Sequence, residues 1–596
     1  MTLFAIKINS TSSIIPQQVH QSLFVDDVQI AFSAHSMHQV ISVLQPTINK
    51  LTKWADQNGF TFSSTKTKCI VFHPKPDFPQ IPVLTMNRTR LPAEKTVKFL
   101  EMTWDQQLTW KPHIQNLITN CQQSLNLLRS LSSQTWGADQ NILLHTYRLI
   151  LRPKIDYGCK VYGSASDALL KQVEVLQNEA LRISSGAFRS SPINSLQILL
   201  NEPPLTERRT DLICRYFFKM KSFINNPVHN TLINNTLQRY LSNNAKSCKS
   251  VICRTNNALA DLQLPSQPVL PHRSPALYSW CLLRPLIDKD LVTPETKSIV
   301  NFNPIFRDHI NSAYPNHKHI YTDGSKSEVG VGSAAVFGHR TETATLPTVA
   351  SIFTAELTAL KLATRLIARS LTESPTTKQF IICTDSLSAV LAIENLEPKN
   401  QLCLNIQHLF HNLLTSRIEI VLLWIPGHSS IPGNNLADQH AKRASTIAPE
   451  FIPCPYTDWT ALIKSKQTDK WKQNWSTSTS KLNPIKTEPS KPKKIPLTRK
   501  EEVILNRLRL GHTNFTHSYL MDNSIAQAIP PCPWCNNAAL SMKHILIDCT
   551  SLAFARSNFL STPNNQQISM KLLLGDDVNP PQIFNFLKEI QIYNHI

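Results

Sequence analysis

Apolar residues along this chain repeat with two periods, and each stretch predicts an element. Over 22–32, two apolar runs flank Asp26 and Asp27, the pattern of a β-hairpin with acids at its tip. Met37, Val40, Ile41, Leu44, Ile48, Leu51 and Ala55 then recur at helical spacing, and a short strand follows at 69–72. Ile114, Leu117, Ile118, Cys121, Leu125, Leu128 and Leu131 predict an amphipathic helix over 111–131, with further helices at 142–151, 169–183 and 212–220. Residues 225–316 are polar, spotted with proline and weakly periodic, so they read as a partly ordered connection.

The clearest alternation comes next. Residues 318–322 predict a strand that ends at Asp323, where Gly324 and Ser325 turn the chain. A second strand follows at 329–337, and Leu357, Leu360 and Leu366 place a helix over 353–366 with Glu356 in its first turn. The continuously apolar run 379–384 reads as a strand buried on both faces. Asp385 closes it, and Ser386 is suited to cap the next helix. A strand at 417–424 and a helix at 434–444 carrying Asp438 complete the series.

Asp323, Glu356, Asp385 and Asp438 thus come from strand ends and helix sides that one sheet can gather. Four carboxylates in one pocket repel each other unless cations neutralise them. Ligands that are all oxygen suit Mg²⁺ or Mn²⁺. Two such ions about 4 Å apart can clamp the attacking and leaving oxygens of a phosphodiester.

Charge points the same way. Lys and Arg number 61 against 41 Asp and Glu, a formal net charge of +20, which favours a polyanionic partner such as RNA or DNA. There is no run of 18 apolar residues and no signal-peptide pattern, so no membrane role is expected. The 13 cysteines are scattered apart from one cluster, which points to an intracellular, reducing compartment, cytoplasm or nucleus. That cluster is Cys532-x2-Cys535-x8-His544-x4-Cys549, a donor set for one tetrahedral Zn²⁺ with no open position. A lysine-rich stretch among prolines, from Lys481 to Lys500, reads as a solvated basic linker, and 505–513 as a basic amphipathic segment.

The ordered motifs Thr322-Asp323-Gly324-Ser325, Ala355-Glu356-Leu357, Thr384-Asp385-Ser386 and the run from Trp424 to Asp438 resemble a type 1 ribonuclease H domain. The resemblance implies that Asp323, Glu356, Asp385 and Asp438 hold two Mg²⁺ (or Mn²⁺) ions. It also implies that His428 assists metal or product exchange. Asn435 stands where many members of that family have Glu.

The front of the chain resembles the palm of a non-LTR retrotransposon reverse transcriptase. Phe24-Val25-Asp26-Asp27 is similar to its aspartate box, and Lys66 to a basic residue near the incoming nucleotide. Glu101, after Phe99 and Leu100, stands where that family usually has Gly. Residues 175–205 resemble the thumb, and the C-terminal part resembles the tail of jockey-like polyproteins. Only 25 residues precede Asp26, too few for the palm's other metal-binding strand, so a longer polyprotein with an N-terminal polymerase half is expected.

The expected fold is therefore multi-domain α/β. A truncated reverse-transcriptase palm spans 1–110, a helical thumb 111–224 and a linker 225–315. A ribonuclease H mixed sheet flanked by helices spans 316–448, a basic linker 449–500 and a small zinc module 501–596. The expected activity is hydrolysis of RNA in RNA·DNA hybrids. The alternatives are an RNA-directed DNA polymerase completed by its missing half, and a nucleic-acid-binding remnant without turnover.

Overall fold

The computed structural model describes residues 2–73, 82–233, 250–266, 268–273, 277–292, 301–374, 376–427, 429–518, 529–560, 568–576 and 578–596. The chain divides into two compact units. One is built from Met1–Arg209, Lys246–Val251 and Lys472–Ile596, the other from Thr210–Ala245 and Ile252–Trp471. No described helix is long and apolar enough to cross a membrane.

In the first unit, strands β1 (His20–Phe24) and β2 (Asp27–Ala31) form the expected hairpin, with Phe24 opposite Asp27. Helix α1 (Met37–Gln57) starts at Ser36, whose side chain accepts from Gln39 N at 3.3 Å. Its Leu44, Ile48 and Leu51 pack on Ile15, Val19, Leu84 and Leu91. The strand expected at 69–72 does not form; Cys69 makes a single bridge to Ala93.

A second hairpin joins β3 (Thr96–Phe99) to β4 (Met102–Asp105) through Leu100 and Glu101, with φ of 47° and 60°. Two successive positive φ angles define a turn of the I′ kind, whose twist matches the strands but which suits Gly or Asn. Backbone conformation at Glu101, then, is what favours glycine there. Glu101→Gly is expected to raise the unit's stability by about 0.5–1 kcal/mol, read as a higher urea midpoint. The exposed Glu101–Lys98 pair that it removes is worth little.

Helix α2 spans Lys111–Leu131, as its periodicity predicts, and buries Ile114, Leu117, Cys121, Leu125 and Leu128. Helix α3 (Gln140–Thr146) runs on through a π-turn to Leu151. Helix α4 (Asp167–Ser185) ends at Gly186, whose φ of 69° closes the last turn through its N–H to Arg182 O. Helix α5 (Ile193–Leu200) follows, then α6 (Leu205–Ser222), which from Thr210 onward belongs to the second unit.

The second unit centres on a six-stranded mixed sheet. Its strands are β5 (Leu286–Asp288), β6 (Lys318–Lys326), β7 (Val331–Phe337), β8 (Arg340–Leu346), β9 (Gln379–Thr384) and β10 (Glu419–Trp424). They lie in the order β8-β7-β6-β9-β10-β5, with β6, β9, β10 and β5 parallel, β7 antiparallel to both of its neighbours, and β8 therefore running in the direction of β6. One face is covered by helices α8 (Ile352–Glu373), α9 (Leu387–Glu394) and α10 (Gln401–Thr415), around Leu360, Ile367, Phe380, Ile382 and Phe410. Helix α7 (Asn303–Ala313) covers the other face, setting Phe302, Phe306 and Ile310 on Ile381, Cys383, Val421 and Leu423. Helix α11 (Pro432–Ala444) packs on β6 and β7, and α12 (Tyr456–Ser476) follows. The ring of Trp459 in α12 stacks on Phe218 of α6 at 3.9 Å.

Three expectations change. The 225–315 connection supplies β5 and α7, because Leu286–Asp288 pairs with Val421–Leu423 and α7 buries an apolar stripe. The 449–500 stretch begins with α12 rather than a linker. Strand β6 does not stop at Asp323: Asp323 and Gly324 pair with Ala334 and Ser333 of β7, so the turn comes after Lys326.

The last part of the chain returns to the first unit. Helix α13 (Arg499–Leu510) opens with a capping box between Thr498 and Glu501. Its arginines, which the sequence places in a solvated basic linker (Arg499) and a basic amphipathic segment (Arg507 and Arg509), point inward. Arg499 donates to Ile183 O and Ser184 O at 2.8 and 2.7 Å, Arg507 to Gly186 O and Ile596 O at 2.8 and 3.0 Å, and Arg509 to Leu574 O and Gly575 O at 2.8 and 2.9 Å. Arg499 and Arg507 hold the end of α4 and close it to solvent, positive charge against helix carbonyls.

Candidate active site and metal centre

The sheet register builds the first site. Thr322 of β6 lies opposite Thr384 of β9, so Asp323 and Asp385 are the next residues along two adjacent parallel strands. Glu356 arrives from α8, whose N-cap Ser351 accepts from Thr354 N at 3.1 Å. Gly324 lets that helix come close. A Cβ there would lie 2.7 Å from Glu356 N and 2.9 Å from Ala355 C, both backbone atoms. Gly324→Ala is therefore expected to push α8 off β6, costing about 1–3 kcal/mol. Chemical denaturation of the full chain reads that loss.

Ligand oxygens of Asp323, Glu356 and Asp385 all lie within 4.8 Å of one another. Asp323 and Glu356 are buried, and Glu356 Oε2 has no hydrogen-bond partner. Burial, with the charges of Asp385 and Asp438, pushes the Asp323 carboxyl up to about 7. Burial, with Asp385 and Asp323, pushes Glu356 up to about 9. Crowded, desolvated carboxylates with a spare oxygen make a site that needs positive charge, and the all-oxygen donor set fits Mg²⁺ or Mn²⁺.

Asp438 stands outside this group of three. Its Oδ2 accepts from Lys442 Nζ at 2.7 Å, one turn on in α11, though its charge reaches Asp323. His428 lies outside the described residues. Sequence reasoning passed over two neighbours. Asn434, buried, reaches Asp385 Oδ2 with its Nδ2 at 3.5 Å. Asp458, on α12, accepts from Ser351 Oγ at 2.8 Å and so braces the start of the Glu356 helix. Asn434 lay one residue from the noted Asn435, but nothing along the chain links Asp458 to Ser351.

The second site is the Cys532, Cys535, His544, Cys549 group, again within 4.8 Å. Cys532 Sγ is 3.9 Å from Cys549 Sγ, and Cys535 Sγ is 3.3 Å from His544 Nε2. The sulfur spacing is far beyond a disulfide and close to the edge, about 3.8 Å, of a tetrahedron with 2.3 Å Zn–S bonds. The backbone N–H of Asn537, then His544 and the other two cysteines, lower the Cys535 thiol to about 7, towards the thiolate a metal takes.

Asp26 and Asp27 sit exposed at the β1–β2 turn, and Lys66 is exposed as well. Among the described residues these aspartates join no cluster of potential ligands.

Residues 315–446 match the family model described as RNase H. This segment is a ribonuclease H domain. The chain is also similar to RNA-directed DNA polymerases of transposable elements. It is 24% identical over 163 residues to the probable RNA-directed DNA polymerase from transposon X-element of Drosophila melanogaster, covering 27% of this chain and 18% of that protein. It is also 24% identical over 205 residues to the RNA-directed DNA polymerase from mobile element jockey of the same species, covering 33% and 21%. The chain thus spans about a fifth of the length of these curated relatives. Among solved structures it is similar to RNase H1 from Halobacterium salinarum NRC-1, at 20% identity over 22% of this chain and 96% of that one, with a TM-score of 0.18.

Proposed function

We propose that the second unit cleaves the RNA strand of RNA·DNA hybrids in a divalent-metal-dependent reaction. The observation that carries the reading is the convergence of Asp323, Glu356 and Asp385, from two strands and a helix, with one buried oxygen left unpartnered. Those three would hold the cations, with Asp438 at the margin. Divalent cations bound there supply Lewis-acid charge for displacement at a phosphodiester. The protein's own part is positional. Adjacent strands fix Asp323 beside Asp385, Gly324 admits the helix that delivers Glu356, and Asn434 steadies Asp385. Choice of RNA over DNA would rest on contact with a 2′-hydroxyl.

The test uses the full chain with end-labelled substrates in Mg²⁺. Cutting of the RNA strand of a hybrid, with duplex DNA spared and no cutting without divalent metal, is the expected outcome. Equal cutting of duplex DNA, or none of either substrate, would discard the reading.

The cysteine–histidine group is proposed to hold one structural Zn²⁺. All four donors belong to the protein, which leaves no position for substrate. Polymerisation is not part of the proposal, because the described acids near Asp26 do not form a metal-binding group.

A further inference from the structure

The start of α8 is held from two sides, and one hold comes from beyond the segment that the family model covers. Glu356 follows the N-cap Ser351 by little more than a turn, about 7–8 Å of helix axis. A shift or fraying at the cap therefore moves the carboxylate. On the sheet side, Gly324 admits the backbone of Glu356 to β6. Further along the same strand, Lys326 Nζ donates to Ala350 O at 2.6 Å and fixes the residue ahead of the cap.

The other hold is Asp458, in the first turn of α12. Its Oδ1 accepts from Ser351 Oγ at 2.8 Å. A serine hydroxyl has one hydrogen to give. Thr354 Oγ1 is a neutral acceptor at 3.2 Å, and the carboxylate is the stronger of the two. With its hydrogen committed to Asp458, Ser351 Oγ is left to accept from Thr354 N at 3.1 Å, which is the capping bond. Asp458 thus selects the hydroxyl orientation on which the cap depends.

Asp458 is only 4% exposed, and its Oδ2 has no hydrogen-bond partner. Burial pushes its carboxyl above the usual range. A carboxylate kept in such a place costs stability. The helix that carries it is anchored within the second unit. Trp459, fully buried, stacks on Phe218, and Cys454 bridges to Val269 ahead of the helix. Glu450 N also donates to Thr345 O of β8 at 3.2 Å.

We propose that Asp458 is a positioning residue that sets Glu356 for a divalent cation by orienting the Ser351 cap of α8. Helix α12 is then part of the metal site, although it lies outside residues 315–446. The proposal rests on the reading that Glu356 helps to hold that cation.

The experiment uses the full chain without nucleic acid and follows the rise of the urea midpoint with Mg²⁺ at constant pH. Glu356→Gln marks the part of the response that belongs to this site. Asp458→Leu is expected to weaken the Mg²⁺ response about tenfold in concentration, the low end for losing a residue that orients a ligand. Ser351→Ala should do the same, and the double variant should be no worse than Ser351→Ala alone, since both act through one contact. Asp458→Asn keeps an acceptor for the Ser351 hydroxyl and should restore the parental response. Asp469→Asn, at an exposed acid on the same helix, is the control. In hybrid cleavage, Asp458→Leu should need about tenfold more Mg²⁺ for half-maximal kcat, with KM for the hybrid unchanged.

A folded Asp458→Leu with a lower metal-free midpoint and a parental Mg²⁺ response would make Asp458 structural only and overturn the proposal. So would a double variant clearly worse than Ser351→Ala, which would mean that Asp458 does not act through the cap. If Asp458→Leu does not fold, Ser351→Ala decides: a parental Mg²⁺ response there removes the cap from the metal site. A parent that responds to Mg²⁺ but cuts no hybrid would discard the nuclease reading alone, and a parent without any Mg²⁺ response would overturn both.

Discussion

Asp385→Asn is expected to reduce hybrid cleavage about 10²–10³-fold, the scale of losing one preorganised charged group. Asn keeps the shape of the side chain and removes a charge that, after burial, pushes the carboxyls of Asp323 and Glu356 up in the metal-free protein. Activity and stability should therefore separate. The cleavage rate falls, while the unfolding midpoint without Mg²⁺ holds or rises, because repulsion in the cluster is relieved. A variant that loses activity and stability together would point to misfolding, and one with near wild-type rate would remove Asp385 from the site.

The same crowding gives a pH signature. Folding raises Asp323 from 3.8 to about 7 and Glu356 from 4.5 to about 9. Between about pH 4 and 9 the native state thus binds more protons than the unfolded chain, and stability falls as pH rises through that window. Urea midpoints in Mg²⁺-free buffer should show this decline, and Mg²⁺ should flatten it. Glu356→Gln should remove the upper part, between about pH 7 and 9. A decline unchanged in Glu356→Gln would assign it to other groups.

Loss of zinc is expected to have the largest effect on folding. Structural zinc sites contribute about 10–16 kcal/mol of apparent binding energy, which a small module draws on to fold. From sequence alone, Cys535→Ser would unfold the tail locally. The structure extends the consequence, because Lys472–Ile596 shares a compact unit with Met1–Arg209. Helix α13 in that tail secures α4 through Arg499 and Arg507, and Asn506 donates to Gln140 of α3 at 2.7 Å. Cys535→Ser or chelation should therefore lower the midpoint of the first unit, seen as faster proteolysis of α2 to α5, and abolish one zinc per chain by elemental analysis. A metal-free wild-type protein, or proteolysis confined to residues beyond 529, would contradict this.

Residue pattern alone carried the local elements with strong periodicity. Helix α2 and strand β9 match their expected ends, since each buries a continuous apolar stripe or run that no neighbour can override. It also pointed to residues that the fold gathers into two donor groups, Asp323, Glu356 and Asp385 in one and Cys532, Cys535, His544 and Cys549 in the other, with the expected fourth acid Asp438 outside the first. Pattern failed where an element is short or its meaning depends on a distant partner. Three residues, Leu286–Asp288, become a strand only because β10 offers an edge. Asp323 seemed to end a strand because a turn-like Gly-Ser follows, yet β7 continues the pairing and Gly324 is spent on admitting a helix.

Arginines in α13 look like solvated charge along the chain, and only packing shows them satisfying helix-end carbonyls. Likewise Lys486, in the expected solvated linker, is held by Ser490 O at 2.7 Å, and burial lowers its ammonium to about 8. Side-chain identity and period are local and legible in one dimension. Whether a charge is solvated, a strand paired or a donor left without an acceptor depends on what the fold brings beside it.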